Sequence, residues 1–206
     1  KYKALYPDEI AGVKRGKEMS FEDVIKKGVN PAYEYDIEND INDRNCSACV
    51  AATEYCRRGL AVNAASTIDN EKAEELSHNA FDLWVNPNTG KIAEWTEINL
   101  DQKSAFEYLN ETVNRRERYE LGIYPQLIKD DPETIEGHAI FVEKDANGQL
   151  LIYDPQKQEF CLNSAESKMY LDSWVDAPEA VKDIFPKVIR IDDKKINPYY
   201  EGILVP

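Results

Sequence analysis

Residues 137–156 read GHAIFVEKDANGQLLIYDPQ, and this stretch decides how the C-terminal half of the chain folds. It holds two apolar and β-branched runs, His138 to Glu143 and Gln149 to Tyr153, on either side of the tetrapeptide Asp145-Ala146-Asn147-Gly148. Such a tetrapeptide favours a three-residue hairpin loop that ends with glycine in the left-handed region. We therefore predict an antiparallel hairpin in which Asp145 pairs with Gln149.

The register of this hairpin brings two chemically useful side chains together. Counting back along the strands places Gln156 opposite His138, and Asp154 one diagonal step from His138 on the same face. At that spacing a carboxylate can meet an imidazole. A two-residue loop at Asn147-Gly148 would instead send the two side chains to opposite faces, because a slip of one residue flips the strand.

A second stretch, Asn45-Cys46-Ser47-Ala48-Cys49-Val50, places thiols at the predicted start of a helix that runs to about Arg58 and stops at Gly59. A cysteine at a helix start faces unpaired backbone N–H groups, which favour a thiolate and can hold an oxyanion. We expect the earlier cysteine, Cys46, to be the nucleophile, with Cys49 as the alternative. Asn45 is expected to cap the helix or orient a substrate amide, and Ser47 is a further candidate for the substrate or oxyanion contact.

Together these residues follow the order of a thiol hydrolase: Cys46 as nucleophile, His138 as base, Asp154 as orienting carboxylate. Gln156 is expected either to line this site or to form a sheet-edge hydrogen bond. The remaining cysteines, Cys56 and Cys161, are interpreted as small buried residues, and His78 as a surface residue.

The length and composition of the chain limit the number of domains and the classes of partner. The chain has 206 residues, 42% of them hydrophobic, and a formal net charge of −14. We predict a lead-in over residues 1–45 and one catalytic domain over 46–206. The negative charge argues against nucleic acid or an anionic membrane as a partner and favours a basic protein surface. No apolar stretch approaches the roughly 20 residues of a membrane span, so we expect a soluble protein.

Local signals predict helices in the N-terminal half and strands after them. Ser20 caps a short helix that Gly28 ends, and the acidic run Asp36 to Asp43 is expected to be a solvated loop. Further helices are predicted from Asn70 to Trp84 and after a cap at Asp101. Besides the hairpin, strands are predicted at 119–128 and 188–191. The fold class expected is α+β, with N-terminal helices packed on a C-terminal antiparallel sheet.

The chain also resembles a known family, the papain-fold toxin group called Tox-PL, which occurs in bacterial polymorphic toxins and in phage head-morphogenesis or minor capsid proteins. The resemblance is carried by Asn45-Cys46 to Val50, Arg57-Arg58-Gly59, Gly137-His138 and Asp154-Pro155-Gln156. Weaker echoes are Asn30-Pro31, Arg190-Ile191-Asp192 and Asn197-Pro198.

This resemblance implies a circularly rearranged papain-like fold and a Cys46-His138-Asp154 triad that acts on amide groups without a cofactor or metal. It further implies a protein substrate, glutamine deamidation as the main expectation, and cysteine protease activity as the alternative. A bacterial or phage origin, delivery as part of a larger protein and an immunity protein as partner are also expected.

Two non-catalytic interpretations remain open. Cys46, Cys49, Cys161 and His138 can be combined into a structural zinc site, although Cys161 and His138 form no close pair in the sequence. A phage structural or interaction module can keep the fold without any activity. Metal analysis and thiol labelling separate these from the enzyme.

Overall fold

The structure is a computed structural model that describes residues 10, 12–31, 44–68, 70–128, 131–174 and 186–206, without the side chains of 124–136 and 174. The chain divides into two compact units. Unit 1 comprises Lys1–Ala93, Asp154–Glu159 and Ile191–Pro206; unit 2 comprises Glu94–Tyr153 and Phe160–Arg190. The acidic run Asp36 to Asp43, predicted to be a solvated loop, lies outside the described residues.

The described helices and strands confirm the α+β class. In chain order they are α1 (Phe21–Lys27), α2 (Cys46–Arg57), β1 (Asn63–Ala64), α3 (Glu71–His78), β2 (Trp84–Val85), β3 (Thr96–Glu97), α4 (Ala105–Thr112), β4 (Arg118–Ile128), β5 (Asp131–Lys144), β6 (Leu150–Asp154), β7 (Glu159–Cys161), α5 (Ser164–Trp174), β8 (Lys187–Arg190), β9 (Lys195–Ile196) and β10 (Leu204–Val205). Among the described residues, no helix has the length and apolar composition needed to cross a membrane.

Unit 1 is organised around α2. Every residue of that helix from Ser47 to Cys56 is buried, which explains its mostly small and apolar sequence. The helix stops where Gly59 adopts a φ of +89°, and a Cβ atom there would lie 2.7 Å from the carbonyl oxygen of Gly16. The predicted stop at Gly59 is therefore confirmed, and only glycine fits it without strain. Two short antiparallel sheets, β1 with β10 and β2 with β9, belong to the same unit.

Unit 2 contains a six-stranded sheet with the strand order β3-β8-β4-β5-β6-β7. Its core joins residues of the sheet to residues of α4 and α5, including Leu109, Leu121, Ile140, Ile152 and Leu171. Cys161 is part of this core, which confirms its interpretation as a small buried residue. The helices that cover the sheet within this unit thus come from the middle and late parts of the chain.

The hairpin between β5 and β6 has the predicted three-residue loop. The N–H of Asp145 donates to the carbonyl oxygen of Gln149 over 2.9 Å, and Gly148 has a φ of +87°. The strands pair from Lys144 with Leu150 to Phe141 with Tyr153, as the loop requires. The alternative two-residue loop at Asn147-Gly148 is excluded by this register.

Two predicted elements need correction. The helix from Asn70 to Trp84 is wrong in its second half: α3 ends at His78, and Trp84 is a buried strand residue paired with Ile196. The cap of α4 is Ser104, which forms a capping box with Glu107, and Asp101 lies in the turn before it.

Helix α5 was not predicted at all. Leu171 is its buried apolar anchor, whereas Met169 is 73% exposed and Ser167 is buried and bonded to the Leu150 carbonyl oxygen. This helix therefore lacks the apolar stripe from which an amphipathic helix is recognised in a sequence.

Candidate active site

Cys46 differs from the other cysteines in its exposure. It is the first residue of α2 and is partly exposed, whereas Cys49, Cys56 and Cys161 are buried. All four are unbridged. The thiol of Cys56 donates to the carbonyl oxygen of Val62 over 3.4 Å, which confirms its interpretation as a buried structural residue. Cys46 is thus the one cysteine in the described chain that a substrate can reach from solvent.

The side chain of Asn45 does not cap the helix, so the first of its two predicted roles is wrong, and the second, orienting a substrate amide, stays a prediction. Its side chain makes no cap hydrogen bond and is buried with the rest of the residue. The Nδ2 group donates instead to Asn30 Oδ1 over 3.1 Å and to the Ala65 carbonyl oxygen over 3.2 Å. Because the Asn45 side chain turns inward, the N–H groups in the first turn of α2 are not bonded to it.

Three buried amides form an amide cluster, defined here as Asn30, Asn45 and Gln156. Asn45 Oδ1 accepts from Asn30 Nδ2 over 3.4 Å and from Gln156 Nε2 over 3.3 Å. The exposed fraction of each residue is 3% or less. Gln156 lies in the turn after β6 rather than in the strand, and its side chain ties that turn to the start of α2. Sequence reasoning missed Asn30 as a site residue, since its only signal was the pair Asn30-Pro31.

Asp154 is fully buried at the end of β6. Its Oδ1 atom accepts from the backbone N–H of Gln156 over 3.2 Å and from that of Lys157 over 3.1 Å. Asp154 and Pro155 thus end the strand in a turn. These bonds fix the carboxylate in place, which a turn and an orienting role both require.

The thiol of Cys49 belongs to the same buried environment. Its Sγ–H donates to Asn45 Oδ1 over 3.4 Å. Burial raises the pKa of Cys49 well above its ordinary value, and electrostatic interactions with Cys46 and with Asp154 raise it further. A thiol held neutral and away from solvent is a poor nucleophile toward an external substrate. The local environment of Cys49 therefore favours Cys46 for that role.

Ser47 is 3% exposed, and among the described residues its hydroxyl has no hydrogen-bond partner. A buried hydroxyl without a hydrogen-bond partner lowers the stability of a folded protein by about 1–3 kcal/mol. The hydroxyl therefore retains unused capacity as a donor and acceptor directly after Cys46. The predicted role of Ser47 in substrate or oxyanion contact stays a prediction.

His138 belongs to unit 2. It lies on β5, half-buried, and pairs with Ile123 of β4. His78, at the end of α3, is exposed, which confirms its interpretation as a surface residue. The meeting of His138 with Cys46 and Asp154 stays a prediction.

A metal site is not evident in the described part of the chain. No three His, Cys, Asp or Glu side chains converge there as ligands of one ion would. The structure therefore gives no support to the zinc alternative built on Cys46, Cys49, Cys161 and His138. Metal analysis of the purified protein tests it directly, because bound zinc with these four ligands would exclude a free nucleophile.

Comparison with known proteins adds no family assignment. No protein-family model matches the chain, and no curated protein matches it. A function must therefore be inferred from the site residues and from the motifs in which they occur.

Proposed function

We propose that this chain is a thiol-dependent amidohydrolase of papain-like type that acts on a protein, with glutamine deamidation as its reaction. The observation that carries the proposal is the position of Cys46. It is a partly exposed cysteine at the first residue of a 12-residue helix, next to a buried cluster of amides and a carboxylate. A helix start stabilises both a thiolate and the oxyanion that its attack creates.

The amide cluster supports the proposal by making the site rigid. Asn45 directly precedes the thiol, and Gln156 follows the Asp154 carboxylate by two residues. The hydrogen bond between their side chains therefore couples the two pieces of backbone that carry a nucleophile and an orienting carboxylate. Catalytic groups need such support, because small errors in position cost large factors in rate.

In the proposed mechanism, the Cys46 thiolate attacks the carbon of a glutamine carboxamide and forms a carbon–sulfur bond. Backbone N–H groups in the first turn of α2 stabilise the oxyanion, and His138 protonates the departing ammonia. The remaining thioester is hydrolysed by water that gives a proton to His138, which releases glutamate and the free thiol. Asp154 orients the imidazole throughout.

Thiol labelling tests the pairing of Cys46 with His138. Near neutral pH, iodoacetamide is expected to modify Cys46 much faster than the three buried cysteines, and His138→Ala should slow the modification of Cys46 markedly, because the thiolate loses its base. His78→Ala is the matched control, because it removes the exposed histidine of α3. Equal labelling of Cys46 in the wild type and in His138→Ala would contradict the proposed pair.

Mass spectrometry of a cell lysate incubated with the protein identifies the reaction. A deamidase adds about 1 Da at glutamine residues, whereas a protease creates new chain termini. Cys46→Ala is the control and should produce neither change. If the wild type also produces neither, the proposal of a hydrolase is wrong.

The Tox-PL resemblance extends this proposal to a toxin domain delivered within a larger bacterial or phage protein and neutralised by an immunity protein. The net charge of −14 leads us to expect a basic surface on the protein that binds it. Affinity for such a partner should fall as salt concentration rises. An affinity that is independent of salt would contradict the electrostatic part of the proposal.

A further inference from the structure

Cys46 and Cys49 stand one helical turn apart at the start of α2. Residues separated by three positions on an α-helix have Cα atoms about 5 Å apart, which is within the range that a disulfide spans. Cys56 follows Cys46 by ten positions, a rise of about 15 Å, which is beyond that range. Cys46 therefore has a single disulfide partner on its own helix.

The two thiols differ in a way that suits a reactive and a resolving cysteine. Cys46 is partly exposed, so a small oxidant can reach its sulfur. Cys49 is fully buried, and its Sγ–H donates to Asn45 Oδ1. Burial, with electrostatic interactions from Cys46 and Asp154, raises the pKa of Cys49 and so keeps its thiol protonated. It is therefore inert toward solvent, but its sulfur can attack the sulfur of Cys46, one helical turn away, once that sulfur has been oxidised.

We propose that Cys46 and Cys49 form a peroxide-driven, reversible disulfide that protects Cys46 from irreversible oxidation. First, the Cys46 thiolate attacks one oxygen of a peroxide: a sulfur–oxygen bond forms, the O–O bond breaks, and the other oxygen leaves as hydroxide, or as an alkoxide that takes a proton from water to give an alcohol. Cys46 is now a sulfenic acid.

In the second step the Cys49 sulfur attacks the Cys46 sulfur. The sulfur–oxygen bond breaks, and the departing hydroxide takes the Cys49 proton and leaves as water. Two thiols have then lost two electrons in total, and the peroxide has gained them. A dithiol reductant reverses the change. Loss of hydrolysis in the disulfide form rests on the proposed function, whereas the disulfide itself does not.

The tryptic peptide from Asn45 to Arg57 contains Cys46, Cys49 and Cys56, so one peptide reports on all three. The full chain is treated with equimolar hydrogen peroxide near neutral pH, denatured in an alkylating agent and digested. We expect a peptide that has lost about 2 Da and carries a single alkyl group, on Cys56. Dithiothreitol given before alkylation should restore alkylation at all three positions.

Replacement of the resolving thiol is the second test. In Cys49→Ala, Cys46 should proceed to sulfinic or sulfonic acid, a gain of about 32 or 48 Da that dithiothreitol does not reverse. Cys56→Ala is the matched control, a buried cysteine of the same helix, and should still form the disulfide. Sulfinic acid at Cys46 with an alkylated Cys49 in the wild type would overturn the proposal, even if Cys49→Ala fails to fold.

The outcomes separate this inference from the proposed function. Hydrolysis that depends on Cys46, without a Cys46–Cys49 disulfide after peroxide, overturns only the redox inference. Conversely, the disulfide can be found while the products formed in the lysate are the same for wild type and Cys46→Ala. That result supports the redox inference and overturns the proposal of a hydrolase.

Discussion

Replacing Arg58 by alanine should destabilise unit 1 by about 3–5 kcal/mol, because it breaks a buried ion pair. Arg58 Nε lies 2.6 Å from Glu54 Oε1, and the two side chains are 3% and 0% exposed. Arg58 Nη2 also donates to the carbonyl oxygens of Ile191 over 2.7 Å and Lys194 over 2.8 Å. The arginine thus joins the end of α2 to the C-terminal segment of the same unit.

The magnitude follows from what the substitution leaves behind. Without the guanidinium, the Glu54 carboxylate stays buried without this charge partner, and two backbone carbonyls lose a charged donor. A loss of this size is a large share of the 5–15 kcal/mol that typically stabilises a folded domain. The double substitution Glu54→Leu with Arg58→Met should cost less than Arg58→Ala alone, since it leaves no buried charge.

Urea unfolding followed by circular dichroism measures these differences. Lys168→Ala is the control, because its ion pair with Asp172 on α5 is exposed, and it should leave the unfolding midpoint unchanged within error. The reasoning is refuted if Arg58→Ala costs less than about 1 kcal/mol, or if the double variant is as unstable as the sum of its single substitutions.

Three further predictions follow from single residues. Gly59→Ala should lower the thermal midpoint by several degrees, because its φ of +89° is strained for alanine and the new Cβ would meet the Gly16 carbonyl oxygen at 2.7 Å. Asn45→Ala should cost about 1–3 kcal/mol in urea unfolding, because it leaves the buried Asn30 amide without that partner. Burial acts to raise the pKa of Glu117, but hydrogen bonds, led by those from Asn114, lower it below its ordinary value overall. The carboxylate therefore stabilises the fold above the ordinary pKa of a glutamate and loses this effect as pH falls through the lowered pKa, so Glu117→Gln should be less stable than wild type near neutral pH and equal to it in acid.

Each of these predictions has a contrary outcome. A Gly90→Ala control, at a positive φ of +69° but with no atom within 4 Å of a new Cβ, should be less harmful than Gly59→Ala. An Asn45→Ala protein as stable as wild type would show that the amide cluster contributes nothing to stability. A Glu117→Gln difference that does not shrink in acid would refute the assignment to that carboxylate.

Much of the fold was open to prediction because its signals are local. Ser20 and Gly28 mark the two ends of α1 through hydrogen bonds to residues close by in the sequence. The loop that ends at Gly148 sets the register of the hairpin by its length alone. Elements whose signal is spread over tertiary contacts were missed. Helix α5 shows no apolar stripe, and Trp84 becomes a strand residue only because Ile196, far along the chain, pairs with it.

The candidate site divides in the same way. The sequence alone determined that a cysteine stands at the start of a helix and that an aspartate stands at the end of a strand, since both positions depend on neighbouring backbone groups. Only the tertiary structure decided that Cys49 is buried beside Asp154 and that Asn45 turns away from its helix toward Asn30 and Gln156. Burial and hydrogen bonding between distant residues arise only when the chain is folded, because buried amides must find partners wherever the packing places them.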